Sequence, residues 1–230
     1  MRISLENREF MKQVGLIFIL LILSIEFGYS QKRQDSFSGV LVYSTSARDT
    51  LMQGLVQASE MLIYTNDTVS RTENSTGQFG KQVVIKHMEL NKSYLLLNTP
   101  MGKFAIRTDH AKSDTASKPS AYSFKKKWFK RKILGRKANR VLVSHESFES
   151  PIEFLYFKKV KGKYNEIFPE IPGLIVKYSI ATADGVIDYE LTKFNEYTPN
   201  RDLFGVPSDY KRVSFDEFVD LMTGPQNQEN

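Results

Sequence analysis

The sequence contains no cysteine, which excludes disulfides, thiolate chemistry and attachment of a lipid to a cleavage-site cysteine. It also lacks a G-x-S-x-G motif and a glycine-rich phosphate-binding loop. The three histidines, His87, His110 and His145, are far apart and show no metal-ligand spacing. We therefore predict a non-enzymatic protein without catalytic residues, a metal ion or a cofactor.

Long hydrophobic runs are also scarce. The longest apolar run, residues 14–23, is interrupted by one glycine and follows Lys12. It is too short to span a membrane comfortably, which takes about 20 residues. Gly28 and Ser30 are small residues in the positions that favour cleavage before Gln31. This layout is typical of a secretory signal peptide.

We accordingly expect an exported protein, in the periplasm or outside the cell, with a retained N-terminal anchor as the alternative. Translation could start at Met1 or at Met11, because the shorter version is the more typical signal. The expected organisation is a signal peptide over residues 1–30, a single domain over 31–222 with a loop insertion at about 109–123, and a disordered tail over 223–230.

Positive charge is concentrated in one segment. Residues 118–140 contain ten Lys and Arg and no acid, and removing these ten charges from the net +6 leaves −4 for the rest of the chain. The candidate surface residues are Lys125, Lys126, Lys127, Trp128, Lys130, Arg131 and Lys132.

Three interpretations of this basic segment are open. Its lysines suit a solvated strand edge that discourages pairing. The interleaved Trp128 and Phe129 also suit an anionic membrane surface or an acidic envelope protein. Nucleic acid is the least favoured partner, because an exported chain seldom meets it.

Apolar and polar residues alternate over 174–180 and again over 187–191, on either side of an Asp-Gly pair at 184–185. This pattern predicts a β-hairpin that buries one face. We predict a two-residue turn at 184–185, which places Ile180 opposite Tyr189.

The apolar face of this hairpin is a candidate ligand-binding site. It carries Tyr178, Ile180, Tyr189 and Leu191. Such a face could line a cavity for a lipid or another apolar ligand. The alternative is a packed core beneath a helix.

Several short strands at regular spacing over residues 37–107 predict an antiparallel meander. Ser214 and Glu217 form a capping box that predicts a short helix over residues 214–222. The predicted fold class is mainly β (α+β): a curved antiparallel sheet or open half-barrel with one or two short helices packed on it.

Four stretches carry a family resemblance: KILGRKANRV at 132–141, IPGLI at 171–175, the hairpin itself, and LFGVPSDYKRVSFDEF at 203–218. They resemble the GLPGLI-type proteins, and more closely a neighbouring family of uncharacterised secreted domains, of Bacteroidetes. The resemblance covers residues 132–218 well and 37–218 loosely. Arg136 replaces the family's usual aromatic residue and Ala138 a frequent cysteine.

The resemblance implies a lipoprotein-carrier (LolA/LolB-like) half-barrel with an apolar concave face that holds acyl chains. The expected function is therefore a non-enzymatic exported envelope protein that binds a lipid or another apolar ligand. The alternative is an interaction or scaffold module that docks through residues 118–140.

Overall fold

The computed structural model describes residues 34–48, 59–75, 81–109, 122–165, 167–182 and 185–223. These residues form twelve strands and one α-helix. The strands are β1 (Gly39–Ala47), β2 (Ser59–Thr65), β3 (Val69–Ser75), β4 (Lys81–His87), β5 (Lys92–Thr99), β6 (Gly102–Asp109), β7 (Ser123–Ile133), β8 (Arg136–Ser144), β9 (Ile152–Phe157), β10 (Leu174–Thr182), β11 (Gly185–Glu196) and β12 (Lys211–Ser214). The helix is α1 (Phe215–Thr223).

All twelve strands belong to one curved, open sheet in the order β12-β6-β5-β4-β3-β2-β1-β11-β10-β9-β8-β7. Every pairing is antiparallel except that of β12 with β6. The predicted class, mainly β with a curved open antiparallel sheet, is confirmed. The parallel strand β12 was not predicted.

Strand periodicity gives the sheet a core face, which we define by Leu41, Tyr43, Ile63, Tyr178 and Leu191. All five side chains are at most 1 % exposed. Neighbouring strands bring them together, because Leu41 lies opposite Ile63 and Tyr43 lies opposite Leu191. Burial of several large side chains, at about 1.5–3 kcal/mol each, makes this face the main source of stability.

The chain between β9 and β10 covers the core face. It contributes Tyr164, Phe168 and Ile171 to the main hydrophobic cluster, each no more than 6 % exposed. The Phe168 ring lies 5.3 Å from that of Phe154 and 6.3 Å from that of Tyr178, centroid to centroid. Aromatic rings at these distances pack favourably. We call this stretch, residues 158–173 as far as described, the cover segment.

The other half of the sheet has smaller cores. On β4–β6, a cluster of Val83, Ile85, Leu96 and Ala105 is covered by residues from the segment between β11 and β12. On the opposite face Phe218 of α1 packs against the sheet, with its ring 5.4 Å from the Phe104 ring.

The predicted capping box of α1 is confirmed. The Ser214 amide donates to the Glu217 carboxylate at 2.6 Å, and the Glu217 amide donates to the Ser214 hydroxyl at 3.1 Å. Large apolar side chains of the helix remain exposed, since Phe215 is 60 % exposed and Met222 is 42 % exposed.

The β10–β11 hairpin forms, but its predicted register is wrong. Thr182 pairs with Gly185 and Tyr178 with Tyr189, so every pairing is shifted by two residues from the predicted one. Gly185 therefore belongs to β11 and not to a turn at 184–185. A shift of two preserves the faces, and the apolar side chains still share one face.

Three expectations fall on residues that the structure does not describe. They are the signal peptide, most of the loop at 109–123, and the tail after residue 223.

Candidate functional site

Strand β7 forms one end of the sheet, so one of its edges has no neighbouring strand among the residues that the structure describes. It has 11 residues, and nine of them are exposed. The two exceptions, Phe124 and Ile133, are partly buried against the main cluster and hold the two ends of the strand. We call β7 and its partner β8 the basic ribbon.

The ladder between the two strands is interrupted in the middle of the ribbon. Lys127 pairs with Arg140 and Arg131 with Ala138, so that residues 128–130 face Asn139 alone. Such a bulge breaks side-chain alternation and re-aims the side chains it contains. Its first two residues are the most exposed aromatic side chains described: Trp128 at 92 % and Phe129 at 74 %.

The ribbon ends in a tight turn. Ile133 pairs with Arg136, leaving Leu134 and Gly135 as a two-residue loop with φ of 47° and 72°. Two successive positive φ values define the type I′ turn that suits the twist of a hairpin. Asparagine is the preferred residue where leucine stands here, and Leu134 is 43 % exposed. The turn thus adds a third exposed apolar side chain to the ribbon.

The arginines of the ribbon fasten it to the sheet. Arg131 and Arg140 both pair with Glu153 on β9, the former at 2.9 Å. Arg136 pairs with Glu196 on β11 at 2.8 Å, and its guanidinium lies 4.2 Å from the centre of the Phe194 ring. Each guanidinium therefore has a partner within the protein.

The lysines of the ribbon have no such partners. In the part of the chain that the structure describes, none of the five on β7 forms an ion pair. They are Lys125, Lys126, Lys127, Lys130 and Lys132. Lys132 also lies directly opposite Lys137, and like charges in that relation destabilise a sheet. The ribbon thus carries uncompensated positive charge at some cost in stability.

The predicted ligand-binding residues lie on the core face. Tyr178, Tyr189 and Leu191 are buried and Ile180 is partly buried. The Tyr178 and Tyr189 rings stack at 4.7 Å, and Phe168 of the cover segment packs over Tyr178. Burial raises the pKa of Tyr178 well above its ordinary value. The four residues lie together within a packed cluster.

The opposite face of β1, β10 and β11 holds a polar groove of about 290 Å³. Its charges are paired: Lys177 with Glu190 at 2.6 Å and Arg48 with Asp188 at 2.6 Å. Ser179 also donates to Asp188, at 2.6 Å. Both carboxylates therefore already have a cationic partner within the groove.

A cluster that sequence reasoning missed surrounds Asp67, in the turn between β2 and β3. The Lys161 and Lys163 ammonium groups lie 3.0 and 3.1 Å from its carboxylate, and the Tyr164 hydroxyl donates to it. The same hydroxyl accepts the Phe37 amide at 2.8 Å. Burial raises the pKa of Asp67, but these hydrogen bonds outweigh it and lower the value to about 2. The cluster fastens the cover segment.

The histidines show no ligand geometry. His87 lies at the end of β4, and the His145 ring lies 4.3 Å from the Tyr122 ring, while His110 falls outside the described residues. Among the described residues no group of three His, Asp or Glu side chains is placed to hold a metal ion. No described helix is long and apolar enough to cross a membrane.

Fold and site together define an open, mainly antiparallel β-sheet protein with an exposed basic ribbon at one edge. The sequence matches no protein-family model and no curated protein. Among solved structures it is similar to that of PNGF-II in a P21 crystal form, with 14 % identity and a TM-score of 0.47. The match covers 80 % of this chain and 32 % of that one, so the chain spans about a third of that protein's length. A likeness this weak carries no functional argument.

Proposed function

We propose that the protein is an exported, non-enzymatic docking module of the cell envelope, which binds an anionic partner through the basic ribbon. The observation that supports this most directly is the set of five unpaired lysines beside two exposed aromatic side chains on β7. Unpaired like charges on one strand are stabilised when an opposite charge approaches. The arginines, which already have internal partners, keep the ribbon in place for that contact.

Salt-dependent retention on a heparin column tests this proposal. The variant replaces the five β7 lysines with glutamine and should elute at much lower salt than the unaltered protein. A matched control removes the same charge from exposed lysines elsewhere, namely Lys92, Lys158, Lys159, Lys193 and Lys211. The control should keep most of its retention. Equal losses in the two variants would show that net charge, rather than the ribbon, drives binding.

Export is part of the proposal and is supported by the sequence of residues 1–30. N-terminal sequencing of the protein recovered from the periplasm or medium should begin at Gln31. An intact N-terminus on cytoplasmic protein would refute export.

Binding of a lipid or other apolar ligand on the core face is a second proposal. It is favoured by the cluster of aromatic side chains beneath a single cover segment. Because Phe168 occupies the space over Tyr178, a ligand would have to displace it. Native mass spectrometry of the purified protein should then show bound lipid, and Phe168→Ala should increase uptake of a fluorescent fatty acid. An empty protein that gains no uptake in the variant would exclude this site.

A further inference from the structure

Edge protection accounts for the lysines of β7 but not for its aromatic side chains. Lysine on an exposed edge discourages pairing with another chain. Tryptophan and phenylalanine have the opposite tendency, and monomeric proteins seldom expose such large apolar side chains side by side. Trp128 and Phe129 are nevertheless adjacent and 92 % and 74 % exposed. They need an explanation of their own.

The ribbon supports the backbone that carries these two side chains. Over residues 136–138, β8 pairs with β7 alone among the described strands, so this outer part of the ribbon extends past the end of the β8–β9 ladder. One side of this part is anchored by Ala138, which is 0 % exposed, and by Arg136 on Phe194. The bulge therefore lies on a supported edge. A pre-organised apolar contact loses less conformational entropy on binding.

Charge surrounds the aromatic pair instead of lining one face. Lys126 lies opposite the buried Val141, and its neighbours Lys125 and Lys127 project from the other face of the strand. A partner that meets all of them must approach along the edge of the sheet. A laterally extended, flat anionic surface meets this condition.

The free cations of the ribbon are lysines and not arginines, and this difference favours a lipid surface over a protein partner. Arginine recognises carboxylates with fixed, two-pronged geometry, whereas lysine acts as a flexible point charge. In the basic ribbon Arg131, Arg136 and Arg140 are all engaged within the protein. The groups left for a partner are ammonium groups, which suit mobile lipid headgroups better than the fixed carboxylates of an acidic protein.

We propose that the partner is an anionic lipid bilayer. The free edge of β7 approaches the bilayer, Trp128 and Phe129 enter the interface between headgroups and acyl chains, and the five lysines contact lipid phosphates. Aromatic side chains favour this depth, and long lysine stems reach from it to the headgroups. The inference rests on the proposed docking function and specifies its partner.

Tryptophan fluorescence tests insertion directly, because Trp128 is the single tryptophan of the chain. The exported protein, with its N-terminus determined first, is mixed with vesicles of phosphatidylcholine alone or of equal parts phosphatidylcholine and phosphatidylglycerol. On the anionic vesicles the emission should shift to shorter wavelength and be quenched by brominated acyl chains. Neutral vesicles should cause neither change. Each lysine at an anionic surface contributes about a fivefold change in affinity, so the five-lysine variant should lose binding almost entirely.

A second variant separates insertion from attraction. Phe129→Ser keeps the reporter and every charge, and it should weaken binding to anionic vesicles roughly tenfold while leaving heparin retention unchanged. Phe215→Ser is the matched control, since this phenylalanine is 60 % exposed on α1, outside the ribbon. It should bind vesicles like the unaltered protein.

The outcomes are distinguishable. Unshifted fluorescence on anionic vesicles, together with lysine-dependent heparin binding, would overturn the bilayer proposal and leave the docking function standing. Binding to polyglutamate in that case would identify an acidic protein as the partner class. Loss of lysine-dependent heparin binding would overturn both proposals.

Discussion

Asp67→Asn is the sharpest test of how the cover segment is held. Asp67 has a φ of 76°, a left-handed conformation that asparagine also tolerates. The substitution therefore keeps the shape of the turn, removes the charge and replaces one accepting carboxylate oxygen by an amide NH2 group. It separates the contribution of the ion pairs with Lys161 and Lys163 and of the hydrogen bond from Tyr164 from any change in backbone strain.

The pKa of Asp67 gives the magnitude. Its value falls from the ordinary 3.8 to about 2 in the folded protein. At 1.36 kcal/mol per unit this corresponds to roughly 2 kcal/mol. The side chain is 27 % exposed, so water screens part of the interaction. We expect Asp67→Asn to lower the free energy of unfolding by about 1–2 kcal/mol at pH 7.

The loss should depend on pH in one direction. A carboxyl whose pKa is lowered by folding stabilises the protein fully above its unfolded value of 3.8, and this stabilisation disappears as the pH falls through about 2. Urea denaturation of both proteins should thus show the full difference between pH 5 and 7. Roughly half of it should remain near pH 3.

Asp209→Asn provides the control, because Asp209 also accepts from a lysine, Lys103, at 2.7 Å but is 55 % exposed. Exposed ion pairs contribute little, and this variant should unfold like the unaltered protein. An Asp67→Asn loss no larger than that of the control, or one that persists unchanged at pH 3, would refute the reasoning.

Three other substitutions test the backbone and the core. Gly173→Ala should lower the free energy of unfolding by at least about 3 kcal/mol or prevent folding. The residue has a φ of 146°, and an added Cβ would lie 2.5 Å from the carbonyl oxygen of Phe157 at the end of β9. Gly205→Ala is the control and should fold normally, since the nearest atom to its Cβ would lie 3.6 Å away. Leu134→Asn should raise stability by about 1 kcal/mol, seen as a higher Tm, because it relieves a left-handed leucine. Phe168→Ala should cost about 3–5 kcal/mol in urea denaturation; a smaller loss would mean that the cover segment packs loosely.

Hydrophobic alternation predicts the faces of this sheet well because it reports burial directly. The β10–β11 strands and their apolar side are visible in the sequence for that reason. Alternation cannot separate registers that differ by two residues, since both bury the same side chains. The observed register brings Lys177 opposite Glu190 and Ser179 opposite Asp188, and both pairs are bonded. Polar pairing thus settles what the apolar pattern leaves open.

The cover segment and its Asp67 cluster are beyond local sequence reasoning. The cluster joins residues 94 to 97 positions apart, and no local pattern relates a turn aspartate to those lysines. The glycine of the IPGLI stretch is more informative once the structure is known. Gly173 has a φ of 146°, and its carbonyl oxygen would lie 2.9 Å from a Cβ at Gly162. Gly162 and Gly173 of the cover segment thus approach each other too closely for a side chain at position 162.

The basic ribbon is visible in the sequence as a charge run, but its bulge is not. An open sheet must prevent its free edges from pairing with other chains. At the other end of the sheet, β12 has four residues and runs directly into α1, so little edge is available. β7 has 11 residues, and its ladder to β8 is broken at residues 128–130. That break leaves no long regular edge on which an added strand could form. Lysines and bulge together disfavour recognition through backbone pairing. The proposed docking would therefore use the side chains of the ribbon, which are cationic and aromatic.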